Sequence, residues 1–159
     1  EYLDADLTAL PHHLLPVSAR QLVIGPGGGI DVLQAVRAGH TDVTLVEINP
    51  LIEQIVNEDL REFSGAPYRL PGVRTVIGNG RTFVKRAQER WDLVTLTWVD
   101  TGGSATALAF SENYLYTVEA FDEYLSRLNP NGMLAFLRAW HSGLLVDSMR
   151  GVSVAMEAL

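Results

Sequence analysis

A glycine-rich turn between a strand-like and a helix-like segment constrains this chain more than any other feature. Residues 22–31 have the sequence Leu-Val-Ile-Gly-Pro-Gly-Gly-Gly-Ile-Asp. The apolar start predicts a buried strand, and a helical pattern begins near Asp31. A strand, a glycine turn and a helix together present backbone N–H groups and a helix N-terminus to a ligand. The turn therefore predicts an α/β protein with a ligand at this point.

Strand-like and helix-like segments alternate five times along the chain. This order predicts a mostly parallel, twisted sheet with helices on both faces and right-handed crossovers. The predicted strands are 21–25, 42–46, 73–77, 91–98 and 133–137, and the predicted helices are 29–38, from residue 50, 81–89, 118–128 and from residue 144 to the end.

Length and composition exclude several classes of protein. A chain of 159 residues suits one domain, which we place at 21–159 after a lead-in segment, 1–20, that is a loop or short helix. The net charge of -7 argues against phosphate-directed nucleic-acid binding. Without cysteine there is no thiolate nucleophile or disulfide, and cytoplasmic residence fits. No apolar run approaches the roughly 20 residues that span a bilayer, so no membrane contact is expected from this segment.

The four histidines do not form a metal-binding pattern. His12 and His13 are adjacent and point in different directions, whereas His40 and His141 are isolated. A metal site needs several ligands that converge on one point. The sequence therefore predicts no metal.

Polar residues or glycines follow each of the first four predicted strands. Glu47 ends the second strand, Asn79 lies between two glycines after the third, and Thr97 to Asp100 end the fourth. Ligands of open α/β sheets bind at the carboxyl ends of the strands, where an acidic side chain can accept from ribose hydroxyls. A nucleoside-type ligand is therefore expected.

The spacing of the glycines limits which class of ligand the turn could bind. The dinucleotide fingerprint Gly-x-Gly-x-x-Gly fails at Ile30, which disfavours a nicotinamide dehydrogenase. No Gly-Lys-Ser/Thr follows, so a Walker loop is also absent. The spacing Gly-x-Gly-x-Gly favours a nucleoside without a pyrophosphate. The alternative is that the glycines only permit tight packing of strand and helix.

Five motifs follow one another along roughly residues 20–140. They are Val-Ile-Gly-Pro-Gly-Gly-Gly, Val-Thr-Leu-Val-Glu-Ile-Asn-Pro, Val-Ile-Gly-Asn-Gly-Arg-Thr-Phe, Glu-Asn-Tyr-Leu-Tyr-Thr-Val-Glu-Ala-Phe and Leu-Asn-Pro-Asn-Gly-Met-Leu-Ala-Phe. In this order they resemble the spermidine synthase branch of the class I S-adenosylmethionine-dependent methyltransferase superfamily. That resemblance implies a Rossmann-like methyltransferase fold.

The resemblance implies that S-adenosylmethionine or its decarboxylated form is bound. Glu47 would hold the ribose hydroxyls, Ile48 would pack on adenine, and the amide oxygen of Asn79 would accept from the adenine amino group. The glycines would pass beneath the amino-acid or aminopropyl part. The implied cofactor-binding residues are Gly25, Gly27, Gly28, Gly29, Asp31, Glu47, Ile48, Asn79, Gly80 and Thr97.

Two positions depart from the relatives. Spermidine synthases usually have an aspartate where this chain has Gly28, and another, which helps deprotonate the attacking amine, where it has Thr97. A carboxylate both binds the cationic amine and takes its proton, and threonine does neither well. Residue chemistry alone therefore ranks methyl transfer slightly ahead of aminopropyl transfer.

The segment after the fourth strand is the expected acceptor site. Asp100 is the candidate catalytic base or cation anchor, and Glu112, Tyr114 and Tyr116 are candidate substrate residues with it. Alternatively, the tyrosines pack under the following helix and Glu112 caps it. Residues 101–106 are small and suit either a lid or a plain loop.

The predicted function is transfer of a methyl or aminopropyl group to a small-molecule acceptor. A non-catalytic module for nucleoside binding or assembly is the alternative. The family fold has two further strands, the last antiparallel, and the chain ends before them. We therefore expect a fragment of a longer chain, and a possible homo-oligomer because an incomplete sheet leaves edges exposed.

Overall fold

The five strands form one parallel sheet in the order β3-β2-β1-β4-β5. This arrangement comes from a computed structural model, which describes residues 2–97, 99, 114–137 and 145–159. The predicted α/β class and parallel sheet are confirmed. The strands are β1 (Gln21–Ile24), β2 (Val43–Glu47), β3 (Val73–Ile77), β4 (Trp91–Leu96) and β5 (Leu128–Phe136).

Helices cover both faces of the sheet, as the strand–helix alternation predicted. Within the described ranges they are α1 (Tyr2–Ala5), α2 (Leu10–Leu14), α3 (Ile30–Arg37), α4 (Pro50–Gln54), α5 (Arg61–Ser64), α6 (Gly80–Arg86), α7 (Val118–Ser126) and α8 (Leu145–Glu157), with 3₁₀ turns at Leu7–Ala9 and Pro67–Arg69. None of these helices has the length and apolarity needed to cross a membrane.

The central strand β1 supplies side chains to two separate cores. Leu22 and Ile24 pack with the α6 and α7 layer, whereas Val23 packs with the α3 and α4 layer. All four residues of the strand are buried, as expected for a central parallel strand with both faces covered. The glycine turn follows this strand at the edge of the sheet where parallel strands end.

Side-chain caps fix the helix starts next to the site. Asn49 accepts a hydrogen bond from the Leu51 backbone N–H at 3.0 Å, and Asn79 accepts from that of Thr82 at 2.9 Å. Pro50 occupies the first turn of α4, where its missing N–H has no cost. These caps start α4 and α6 directly after the ends of β2 and β3.

Two stretches differ from the regular elements expected of them. After α4 the chain continues as a π-helical turn, Ile55–Asp59, instead of a single long helix. The predicted turn at 129–132 lies within β5, where the register shifts between the pairs Trp91–Leu128 and Leu93–Met133. Asn131 there has a φ of 66°, a conformation that asparagine tolerates better than most residues.

The lead-in segment is helical and docks on the domain through buried polar contacts. His12 Nδ1 lies 2.9 Å from Gln21 Oε1 at the start of β1, and His40 Nε2 lies 2.8 Å from the His12 carbonyl oxygen. On the α3 side, Gln34 donates to Thr8 Oγ1 at 2.9 Å. The segment is therefore held to both β1 and α3.

Candidate functional site

Three glycines of the turn adopt conformations that only glycine takes readily. Gly25, Gly27 and Gly29 have φ values of 66°, 51° and 85°. A Cβ at Gly29 would lie 2.3 Å from Pro67 Cγ, and one at Gly25 would lie 2.9 Å from Val99 Cγ2. At Gly25 and Gly29, neighbouring side chains thus leave no room for a Cβ.

Gly27 and Gly28 leave open space in front of the turn. A Cβ at Gly27 would meet no atom nearer than 4.0 Å, and one at Gly28 would meet none within 4 Å. Gly28 also lies outside the left-handed region. A ligand can therefore approach the backbone here, and a side chain would also fit at Gly28.

Glu47 brings a carboxylate from the end of β2 to the glycine turn. Its side chain is buried, and Oε1 accepts from the Asn49 backbone N–H at 2.9 Å. Oε2 lies 3.4 Å from both Gly27 N and the Tyr68 hydroxyl oxygen, longer than a strong hydrogen bond. Oε2 therefore retains capacity for stronger donors such as ribose hydroxyls.

Tyr68 holds the turn in place and was not expected from the sequence. Its hydroxyl donates to the Gly27 carbonyl oxygen at 2.7 Å, and the side chain is buried. Burial, followed by the nearby charge of Glu47, raises the pKa of the Tyr68 phenol well above its usual value. The residue lies in the 3₁₀ turn Pro67–Arg69 between α5 and β3, where no local pattern indicates a contact 41 residues away.

Exposed apolar side chains lie at the ends of β2 and β3. Ile48, directly after Glu47, is 65% exposed, and Ile77, which pairs with Glu47 in register, is 47% exposed. Such exposure at a strand end leaves apolar surface that a flat base could cover. The packing of Ile48 on adenine stays a prediction.

Asn79 is already engaged through its amide oxygen. Besides capping Thr82, Oδ1 accepts from the Tyr114 hydroxyl at 3.1 Å. An adenine amino group would have to share this oxygen with both donors, so that predicted contact also stays a prediction. Gly80 has a packing role, because a Cβ there would lie 2.3 Å from Ile24 Cγ2.

The two predicted substrate tyrosines lie in different environments. Tyr114 is half-buried, with its ring under the Arg81 guanidinium at 4.8 Å, beside Asn79. Tyr116 is buried, and its ring packs on Phe121 of α7 with centroids 6.4 Å apart. Tyr116 therefore packs against the helix that follows it, which is the alternative to a substrate contact. Tyr114 instead lies next to Asn79, the residue predicted to bind adenine.

Asp31 and Thr97 form a buried pair at the carboxyl end of the sheet. Thr97 Oγ1 donates to Asp31 Oδ1 at 2.5 Å, joining the first turn of α3 to the end of β4. Burial raises the pKa of Asp31 to about 6, and the hydrogen bond from Thr97 opposes that rise. A carboxylate is therefore close to Thr97, the position at which the family resemblance leads us to expect an aspartate.

The remaining predicted residues lie outside the described part of the chain. These are Asp100, Glu112 and the segment 101–106, whose roles as base, substrate contact and lid stay predictions. Within the residues that the structure describes, no cluster of three or more histidine, aspartate or glutamate side chains could hold a metal ion.

The fold is Rossmann-like, and it resembles that of solved S-adenosylmethionine-dependent methyltransferases. The family model described as the spermine/spermidine synthase domain matches residues 3–141. The chain therefore belongs to the spermine/spermidine synthase family, which confirms the resemblance predicted from its motifs.

Individual relatives agree with this assignment. The chain is 31% identical over 93 residues to a polyamine aminopropyltransferase of Korarchaeum cryptofilum, covering 58% of this chain and 29% of the relative. It is 27% identical over 114 residues to one of Sulfolobus acidocaldarius, covering 71% and 36%. Against the crystal structure of spermidine synthase from Thermotoga maritima the TM-score is 0.71 at 18% identity, covering 99% and 49%. The chain thus spans about a third of the length of these two curated relatives.

Proposed function

We propose that this chain binds decarboxylated S-adenosylmethionine and directs its aminopropyl group to a small amine acceptor. The polyamine aminopropyltransferases among its relatives support this choice over methyl transfer. Residue chemistry alone ranked methyl transfer slightly higher, and the named activity of the relatives reverses that order.

The placement of Glu47 is the observation that carries the proposal. Its Oε2 faces the open glycine turn at Gly27 with only long contacts, and Ile48 beside it is exposed. A carboxylate oxygen next to free backbone and an apolar surface can accept from a ribose while a base covers the apolar part. No other described strand end combines all three.

The chemistry asks the protein mainly to orient its two substrates. The sulfonium of the bound nucleoside is a good leaving group, so the amine nitrogen bonds to the adjacent methylene carbon while the carbon–sulfur bond breaks and sulfur takes the electron pair. The nitrogen must lose its proton. Asp31, reached through the Thr97 hydroxyl, is the described carboxylate nearest to the position where the relatives carry their base.

Methyl transfer from S-adenosylmethionine is the second candidate, and Gly28 and Thr97 favour it. Both positions lack the carboxylates that the relatives use toward amines, whereas methyl transfer needs little beyond orientation. The open space at Gly28 also leaves room for a larger ligand terminus than an aminopropyl chain.

Calorimetric titration with S-adenosylmethionine, its decarboxylated form and methylthioadenosine separates these candidates. We expect the decarboxylated compound to bind tightest. Glu47→Gln should weaken all three at least tenfold, because the acceptor for the ribose becomes a weaker, neutral one. Glu58→Gln is the matched control, since Glu58 is exposed and pairs with Arg69.

Tighter binding of S-adenosylmethionine would move the assignment to methyl transfer. Unchanged binding in Glu47→Gln would remove the ribose assignment and with it the main support for a nucleoside sulfonium ligand. Binding without transfer to any amine by the full-length protein would favour a non-catalytic module.

A further inference from the structure

The side-chain amide of Asn79 has a fixed orientation just after the end of β3. Its Oδ1 accepts from the Thr82 backbone N–H at 2.9 Å, which is the contact that caps α6. A backbone N–H can only donate, so the atom that faces it must be the oxygen of the amide and not the nitrogen. The backbone of α6 therefore determines which end of the Asn79 amide is which.

The same oxygen also binds Tyr114. The Tyr114 hydroxyl donates to Asn79 Oδ1 at 3.1 Å. An amide oxygen has two lone pairs, so the two donors together use its accepting capacity. The polar atom that Asn79 can still offer to a ligand is Nδ2, which carries two N–H donors and does not accept.

Arg81 holds Tyr114 in this position. The guanidinium carbon lies 4.8 Å from the centre of the Tyr114 ring, and Nη1 donates to the Tyr114 carbonyl oxygen at 3.1 Å. Two further hydrogen bonds, at 2.8 and 3.2 Å, join the guanidinium to the carboxylate of Glu123. Such a bidentate pair fixes the direction of the planar guanidinium. The Tyr114 hydroxyl is therefore kept on Asn79 by contacts to both its ring and its backbone.

Asn79 lies within reach of a base whose ribose is bound at Glu47. Glu47 pairs in register with Ile77, and Asn79 follows Ile77 by two residues. Neighbouring strands lie only about 4.8 Å apart, which is less than the length of a nucleoside. Ile48 and Ile77 present exposed apolar surface at the same two strand ends. With the base on this surface, we expect its polar edge to face the Asn79 amide.

We propose that Asn79 determines how the base is recognised, by donating from Nδ2 to a ring nitrogen of adenine instead of accepting from the adenine amino group. Adenine carries the acceptors N1 and N7 on either side of that amino group, so an amide N–H can pair with one of them. The amino group is then not required for binding. This inference rests on the proposed function for the presence of a bound nucleoside.

Calorimetric titration of the full-length protein with four nucleosides tests the contact. They are 5′-methylthioadenosine, its analogue without the amino group, and its 1-deaza and 7-deaza analogues. Removal of the amino group should change the dissociation constant by less than about threefold, whereas loss of one of the two ring nitrogens should weaken binding at least about fivefold. A tenfold or greater loss on removal of the amino group would overturn the inference, and so would full affinity for both deaza analogues.

Asn79→Asp should reverse this preference. Aspartate caps a helix as well as asparagine does, so the fold should be kept. Its second oxygen would accept from the amino group and repel the lone pair of a ring nitrogen, so removal of the amino group should now weaken binding at least about tenfold. Tyr114→Phe keeps the ring beside Arg81 but frees one lone pair of Oδ1, so the same removal should weaken binding about fivefold.

A matched control separates the contact from a general effect of charge. Asn131→Asp makes the same change at an exposed position of β5, beside the start of β4, and should leave all four affinities unchanged. With thermal unfolding showing an intact fold, an unaltered ranking of the nucleosides in Asn79→Asp would reject the role of Asn79 and leave the proposed function standing. Failure of all four nucleosides to bind the wild type would instead reject the proposed function, and the base contact with it.

Discussion

The hydroxyl of Tyr68 donates to the carbonyl oxygen of Gly27 at 2.7 Å, and so fastens the glycine turn to the loop that precedes β3. The same hydroxyl oxygen lies 3.4 Å from Glu47 Oε2. One phenol thus fixes the distance between the two groups that would bind a nucleoside. The glycine turn is therefore held by Tyr68, a neutral residue that lies outside the turn.

Tyr68→Phe should therefore reduce both stability and nucleoside affinity. Loss of the hydrogen bond should lower the free energy of unfolding by about 1 kcal/mol, because the partly buried Gly27 carbonyl loses its donor while ring packing is kept. Urea denaturation and calorimetric titration measure the two effects. Tyr2→Phe, at a 68% exposed tyrosine, is the control and should change neither. An unaltered midpoint in Tyr68→Phe would contradict the proposed fastening.

Alanine should change stability by very different amounts at two adjacent glycines. Gly29→Ala should destabilise the protein by about 2 to 4 kcal/mol, because φ is 85° and the new methyl would overlap the Pro67 ring. Gly28→Ala should change stability by less than about 1 kcal/mol, since the space there is open. Thermal and urea unfolding of both variants compare the positions directly. Similar losses at Gly28 and Gly29 would be inconsistent with the described turn.

The buried carboxyl of Asp31 should make stability fall as pH rises from about 4 to about 6. Its pKa is raised from 3.8 to about 6, so the folded state binds more protons in this window than the unfolded state. The loss should amount to about 3 kcal/mol, with little further change from Asp31 above that range. Asp31→Asn should gain stability relative to the wild type across the window, whereas Asp42→Asn should not. Urea unfolding at pH 4, 5, 6 and 7 measures the difference, and a constant difference would count against the raised pKa.

His12 should give the opposite pH dependence of stability from that of Asp31. Burial lowers its pKa from 6.5 to about 4, so its stabilising contribution is complete above pH 6.5 and is lost as pH falls toward 4. The loss should again be about 3 kcal/mol. His12→Asn, which can still donate to Gln21, should lack this part of the pH dependence. His13→Gln, at the adjacent exposed position, should retain it, and loss of the slope in both variants would show that burial of His12 is not its cause.

Periodicity and turn residues predicted most of the framework. The start of β1, the extent of β3 and the start of α7 follow from apolar alternation, proline and asparagine signals that act within a few residues. The position of Glu47 next to the glycine turn was also predicted from the sequence, because parallel strands end at a common edge. These features depend on local chemistry and on one general rule of sheet topology.

Contacts between residues far apart in the sequence could not be predicted from local sequence patterns. The pairing of Asp31 with Thr97 spans 66 residues and depends on β4 lying directly beside β1, which alternation of strands and helices does not specify. Tyr68 reaches the turn from a loop without periodicity. Residue chemistry alone ranked methyl transfer slightly ahead, because the sequence did not show that the Asp31 carboxylate lies beside Thr97.

The division of β1 between two cores has a consequence for how the protein melts. Neighbouring residues Val23 and Ile24 belong to opposite layers, so neither layer can lose its packing without pulling the shared strand from the other. Far-UV circular dichroism, which follows the strands and helices of both layers, and tryptophan fluorescence should therefore show coinciding transitions in denaturant. The domain should therefore behave as one cooperative unit, with the ligand-binding turn no easier to melt than the strand that carries it.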